Sequence, residues 1–286
     1  MSQSENTLHN LDALLPPQMA ARAETIGQKK AQLDATTTFV LAVLAGAFIA
    51  WGAAFSTVVT TNVGQSMPYG LIKLAGGLVF CLGLILVIVA GAELFTGNNL
   101  IVMAWASRKI TTRQVLRNWL IVFAGNFVGA ASTAVLVYLS GQPDAAGGAV
   151  GENMMKIANA KCSIDWPQAL AAGVGCNILV CLAVWLCMSA RTVTDKVVAI
   201  IFPITAFVTM GMEHCVANMY FVPLGLLVKW NSAAANAFSE LTVGNFFIRN
   251  LIPVTIGNVI GGALLVGMVY WFVYLRKNLG EKHDER

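Results

Sequence analysis

Glu93 and Glu213 each sit inside a stretch that is otherwise almost wholly apolar, and their surroundings match. The first lies in Gly91-Ala92-Glu93 with Asn98 five residues on, the second in Gly211-Met212-Glu213 with Asn218 five residues on. Next to Glu213 stands His214, where the first copy carries Leu94; the other histidines, His9 and His283, are terminal. A carboxylate accepts hydrogen bonds, balances a cation or relays a proton, and an imidazole exchanges a proton near neutral pH. Ionisable groups within hydrocarbon are costly, so they mark a functional pathway by default. For the two glutamates a structural role is preferred over proton relay: each accepts hydrogen bonds from orphan N–H groups of the following helix or from an intramembrane Asn such as Asn126, Asn177 or Asn258. For His214 the site reading is preferred over that of a satisfied core residue, because it breaks the match between the two copies.

The elements that hold these residues are membrane-spanning helices. The chain has 286 residues, 57% hydrophobic and only 11% charged, whereas soluble domains have about a quarter of their residues charged. Runs of the roughly 20 apolar residues that a bilayer requires lie near 38–59, 71–92, 114–139, 167–189, 197–229 and 250–275. The expected fold is therefore an all-α integral membrane protein with six spans, the second and fifth interrupted. Arg117-Asn118, Gly125-Asn126 and Gly129 recur at the same spacing as Arg249-Asn250, Gly257-Asn258 and Gly261. A repeat of three spans, an odd number, must enter the membrane from the opposite side, which makes it an inverted repeat. A break in hydrocarbon leaves backbone groups unpaired unless protein or a water-filled cavity satisfies them, and GAELFTGNNL supplies Gly91 and Gly97 for unusual backbone angles and Thr96, Asn98 and Asn99 for caps.

Lys and Arg concentrate on the side that holds both termini if those are cytoplasmic, so both ends are expected inside. Residues 1–36 are expected to form a cytoplasmic amphipathic arm, in which Leu8, Leu11, Leu14, Leu15, Met19 and Ile26 recur at roughly helical spacing, 37–278 the channel domain, and 279–286 a cytoplasmic tail. A surface helix that aids assembly is preferred for the arm over a mobile gate. The net charge of +4 is spread thinly, which argues against a nucleic-acid partner. The six cysteines show no metal or disulfide spacing, and one intramembrane histidine cannot supply paired haem ligation, so no cofactor is expected. Phe80, Leu84, Leu94, Phe95 and Phe207 lie close to the breaks or within a few turns of them; on their types alone they read as core or lipid-facing, and if they lined a lumen they would form dewetted constrictions.

AELFTG (92–97), NWLIVFAGNFVGA (118–130), CNILVCLAVWL (176–186), GMEHCVANM (211–219) and LIPVTIGNVIGG (251–262) together resemble the formate/nitrite transporter family, its formate-channel branch in particular. The resemblance covers about residues 8–278. It implies an aquaporin-like fold in a homopentamer with one pore per protomer, in the bacterial cytoplasmic (inner) membrane. Formate or a similar small anion is the implied solute, with nitrite, hydrosulfide, or water and other neutral solutes as alternatives. By the same resemblance, Phe80, Leu84, Leu94, Phe95 and Phe207 match the family's constrictions, Thr96 its flexible loop and His214 its central histidine. Asn177, Glu213 and Asn258 match polar residues around that histidine, and Lys161 matches a vestibule lysine that attracts anions. Cys215 departs from the pattern, standing where formate channels often carry Ser, and a thiol is a weaker donor than a hydroxyl.

Overall fold

A computed structural model describes residues 12–61, 67–232 and 235–276. Among them all regular structure is helical: α1 Pro16–Gln32, α2 Ala35–Val59, α3 Tyr69–Ala90, a short 3-10 turn Gly97–Ile101 leading into α4 Val102–Ala106, α5 Thr112–Leu139, α6 Ala149–Cys162, α7 Trp166–Ser189, α8 Val193–Thr209, α9 Cys215–Trp230 and α10 Val243–Tyr274. Five of these, α2, α3, α5, α7 and α10, are long and apolar enough to cross a membrane. The fifth run, expected over 197–229 with an interruption, consists of two shorter helices, α8 and α9, with a break between them. Leu8, Leu11 and the tail 279–286 lie outside the described residues.

Helix starts and stops follow from local chemistry. Asp34 accepts a 2.9 Å hydrogen bond from Thr37 N–H ahead of α2, while Thr111 with Gln114 and Thr192 with Asp195 form capping boxes ahead of α5 and α8. Gly91 and Gly211, at matching positions, adopt φ of +80° and +70°, a left-handed conformation that L side chains resist, and α3 and α8 end there. Between α5 and α7 the chain forms the amphipathic helix α6, and Cys162 at its end is buried.

The recurring glycines explain how the long helices pack. A side chain at Gly129 would collide with the carbonyl oxygen of Val43 in α2, and one at Gly261 with that of Val174 in α7. The pairs α2/α5 and α7/α10 are thereby brought into backbone contact, the mode by which small residues join helices in lipid. α3 packs between α2 and α8, α9 lies against α5 and α6, and α1 lies across the 3-10 turn and α4. Many large apolar side chains point outward, Phe202, Leu139 and Leu120 each more than 70% exposed, the reverse of what water selects and what a lipid or a neighbouring subunit accepts.

Candidate functional site

Both breaks are closed by asparagine. At the first, Asn126 donates to the carbonyls of Glu93 (2.9 Å) and Ala42 (2.7 Å) and accepts from Phe95 N–H (2.8 Å). At the second, Asn258 donates to the carbonyls of Glu213 (3.0 Å) and Gly173 (2.7 Å) and accepts from Cys215 N–H (3.0 Å). One carboxamide thus replaces the bonds that the interrupted helix gives up. Asn177 then ties the two breaks together, donating to the carbonyls of Asn258 (2.6 Å) and Thr96 (3.3 Å) and to Asn99 Oδ1 (2.8 Å).

The glutamate side chains do a different job. Glu93 accepts from Lys30 Nζ at 2.6 Å and from Asn98 at 2.6 Å, and Asn98 also donates to Asn118 Oδ1, whose amide reaches back to the carbonyl of Lys30. Glu213 accepts from Lys161 Nζ at 2.9 Å and from Asn218 at 2.7 Å, and Asn218 also donates to Asn250 Oδ1, whose amide reaches back to the carbonyl of Lys161. Asparagine does donate to both carboxylates, but from Asn98 at the first break and from Asn218 and Asn250 at the second; Asn126 and Asn258 reach the glutamate backbone carbonyls instead, and Asn177 reaches neither glutamate. What the sequence did not disclose is that each carboxylate is neutralised by a lysine. Lys30 and Lys161 precede their glutamates by 63 and 52 residues, so no common spacing flags the pairing. Lys161 is therefore an ion-pair partner and not a free cation. Its ammonium also lies 5.3 Å from the centre of the Phe221 ring.

Two cavities approach the breaks. The larger, about 760 Å³, reaches Phe80, Phe207, Lys161, Glu213 and His214. The smaller, about 320 Å³, reaches Leu84, Leu94, Glu93 and Lys30. Phe80 and Leu84 are one turn, about 6 Å, apart on α3 yet face different cavities. Phe80 and Phe207 meet edge to face at 5.7 Å, and the Phe207 ring lies 6.0 Å from that of His214. His214 is almost wholly buried; its Nδ1 accepts from Ala217 N–H at 3.1 Å, capping α9, and its Nε2 lies 3.0 Å from Thr96 Oγ1. With Nδ1 used as acceptor, the neutral ring carries its proton on Nε2. Thr96 has no polar counterpart in the second copy, where Val216 stands.

Phe95 stands apart from the other four constriction candidates, each of which lines a cavity. Its ring packs edge to face on Phe123 (5.1 Å) and Trp119 (6.2 Å), and it lines neither cavity. The cause is the break itself: with Phe95 N–H held by Asn126, the side chain turns toward α5. Asn177, Asn258 and Thr96 likewise line neither cavity and act by holding the breaks or His214. Cys215, the departure from the family pattern, is fully buried and lines neither cavity.

The formate/nitrite transporter family model matches residues 17–272. The chain belongs to the formate/nitrite transporter family. It is 45% identical to the formate channel FocA of Escherichia coli strain K12 over 276 residues, 93% of this chain and 96% of the relative. It is 40% identical to the FocA of Haemophilus influenzae over 274 residues, again 93% and 96%. Among solved structures it is similar to a pentameric formate channel with formate bound, with a TM-score of 0.80 and 44% identity over 85% of this chain and 98% of the other. Members of the family with these names are channels rather than enzymes, and the apolar helices make this chain a multi-pass membrane protein.

Proposed function

We propose that the chain conducts formate, and related monovalent weak acids such as nitrite, across the cytoplasmic membrane through a pore in each protomer of a homopentamer. Similarity to formate channels over nearly the whole chain, one of them pentameric, supports this. In this reading the protomer has six spans in an inverted 3+3 repeat, the interrupted second being α3 with α4 and the interrupted fifth α8 with α9. The matching glycine ends, asparagine closures and Lys–Glu pairs at the two breaks support the repeat. Both termini and the arm 1–36 are assigned to the cytoplasm, with 37–278 as the channel domain and 279–286 as the tail. The smaller cavity, which α1 helps to line, then opens inward.

The observation that carries the mechanism is that His214 lines the larger cavity beside Phe80 and Phe207, with Nε2 3.0 Å from Thr96 Oγ1; in this reading it stands between that apolar wall and the one made by Leu84 and Leu94 at the smaller cavity. A carboxylic acid with a pKa of roughly 4 is ionised at neutral pH, and stripping its water in an apolar layer is costly. Phe80, Phe207, Leu84 and Leu94 reject a hydrated ion; Nε2–H, released from Thr96, gives a small anion one charge-assisted hydrogen bond in place of lost water. Hydrogen-bond donation is favoured over proton lending, because an imidazolium needs a proton on Nδ1, which already accepts from Ala217 N–H. Lys161 and Glu213, neutral as a pair, offer short-range contacts at the wall of the larger cavity. His214→Asn keeps an acceptor for Ala217 N–H and lacks the Nε2 donor. Formate flux into proteoliposomes is expected to fall about 10–100-fold, the worth of one hydrogen bond to a charged group. An unchanged rate and pH profile in His214→Asn and His214→Ala would refute the role.

A further inference from the structure

The ion pairs at the breaks raise a question of charge. Lys30 lines the smaller cavity but is bonded to Glu93, and the pair carries no net charge into it. Two other cations line the same cavity, Arg22 of α1 and Lys196 of α8. Among the described residues neither forms an ion pair with a carboxylate. Glu24 is paired with Lys109, and Asp195, held by the N–H groups of Arg191 and Thr192, keeps its charge but is exposed and outside the cavity lining, where solvent screens it. Arg22 is fixed in place by a 2.9 Å hydrogen bond from Nη1 to the carbonyl of Met188 at the end of α7. A carbonyl holds the guanidinium without cancelling its charge. Both residues are half-buried, so they are in contact with cavity water yet not fully dispersed into bulk solvent.

We propose that Arg22 and Lys196 form the anion-collecting charge at this mouth, and that α1 therefore supplies a substrate-positioning residue of the pore as well as covering it. This rests on the channel reading above and assigns the long-range field to two residues outside the Lys–Glu pairs. A field of this kind concentrates anions ahead of the apolar barrier and acts on any small monovalent anion. At about 7 Å in watery surroundings each unit charge enriches an anion about two- to threefold, and two together about fivefold after modest screening. The ligand class is a small monovalent anion entering from the face that bears α1. The larger cavity, which neither residue lines, is the internal control.

The test is formate flux measured separately from each face, in proteoliposomes captured through an affinity tag at the N-terminus so that the face bearing α1 is outward. In low-salt buffer, Arg22→Gln/Lys196→Gln is expected to raise the half-saturating formate concentration about fivefold for entry from that face and to leave entry from the other face as in the parent. Raising ionic strength with potassium gluconate to about 1 M, where the screening length is about 3 Å, is expected to erase the difference. Arg22→Lys, which keeps the charge, is expected to match the parent. The inference is overturned if the parent conducts formate and the double variant saturates at the same concentration. It is equally overturned if the rise is the same from both faces, persists at high salt, or is reproduced by Arg22→Lys, since each of these means loosened packing. A parent that conducts no formate overturns the channel reading and this inference with it.

Discussion

Removing the ammonium of Lys161 tests the physical account of the second break most directly. In Lys161→Met the Glu213 carboxylate keeps its hydrogen bonds from Asn218 (2.7 Å) and Asn250 (3.1 Å) but loses its counter-ion at 2.9 Å. The two side chains are only 14% and 9% exposed, so water from the cavity they line replaces the ammonium only in part. Orphaning one member of a buried pair costs about 3–5 kcal/mol. Adding Glu213→Gln removes the orphaned charge while leaving an acceptor for the asparagine amides, so the double variant is expected to recover about 2 kcal/mol or more of that loss. The matching change at the first break, Lys30→Met, is expected to cost less, because Lys30 is 27% exposed and solvent screens Glu93 once the lysine is gone. Unfolding of the reconstituted protein in mixed micelles with increasing SDS gives the three values in one assay. If Lys161→Met is as stable as the parent, or if Glu213→Gln restores nothing, the carboxylate is not held as a buried anion and the account of the pair is wrong.

Phe80→Ala opens the apolar wall toward the larger cavity by removing the ring that meets Phe207 at 5.7 Å. Flux of a larger monocarboxylate such as acetate is expected to rise about tenfold relative to formate, measured by competition in proteoliposomes; a constant ratio would remove Phe80 from the barrier. Burial pushes the Cys162 thiol at the end of α6 up to about 11. At pH 8 only about one part in a thousand is thiolate, so mass spectrometry after brief maleimide treatment is expected to find Cys162 unmodified in the native protein and modified after denaturation. The sign follows from the raised value: reactivity grows as pH rises toward 11, and rapid labelling at pH 8 would contradict the burial of α6 against its neighbours.

Much of the fold follows from sequence because lipid is a simple solvent. Long apolar runs, left-handed glycines and recurring small residues are each enforced locally, by the bilayer thickness, by backbone sterics and by close helix contact, and they appear at readable spacings in both copies. The positions of both breaks, and His214 as the point where the copies differ, were legible for the same reason. Helix α6 was not, since an amphipathic helix too short to span a bilayer carries no length signature. The partners of Glu93 and Glu213 were not legible either. Lys30 comes from an arm before the first span and Lys161 from the end of α6, and only folding brings those two points onto equivalent carboxylates. The direction of a side chain at a break is likewise tertiary: Leu94 faces a cavity while Phe95 turns to Phe123, because Asn126 on another helix fixes the backbone between them. Sequence alone determined where the helices stop and which residue types wait there; the tertiary structure decided which charges are spent on each other and which, such as Arg22 and Lys196, line a cavity without a carboxylate partner among the described residues.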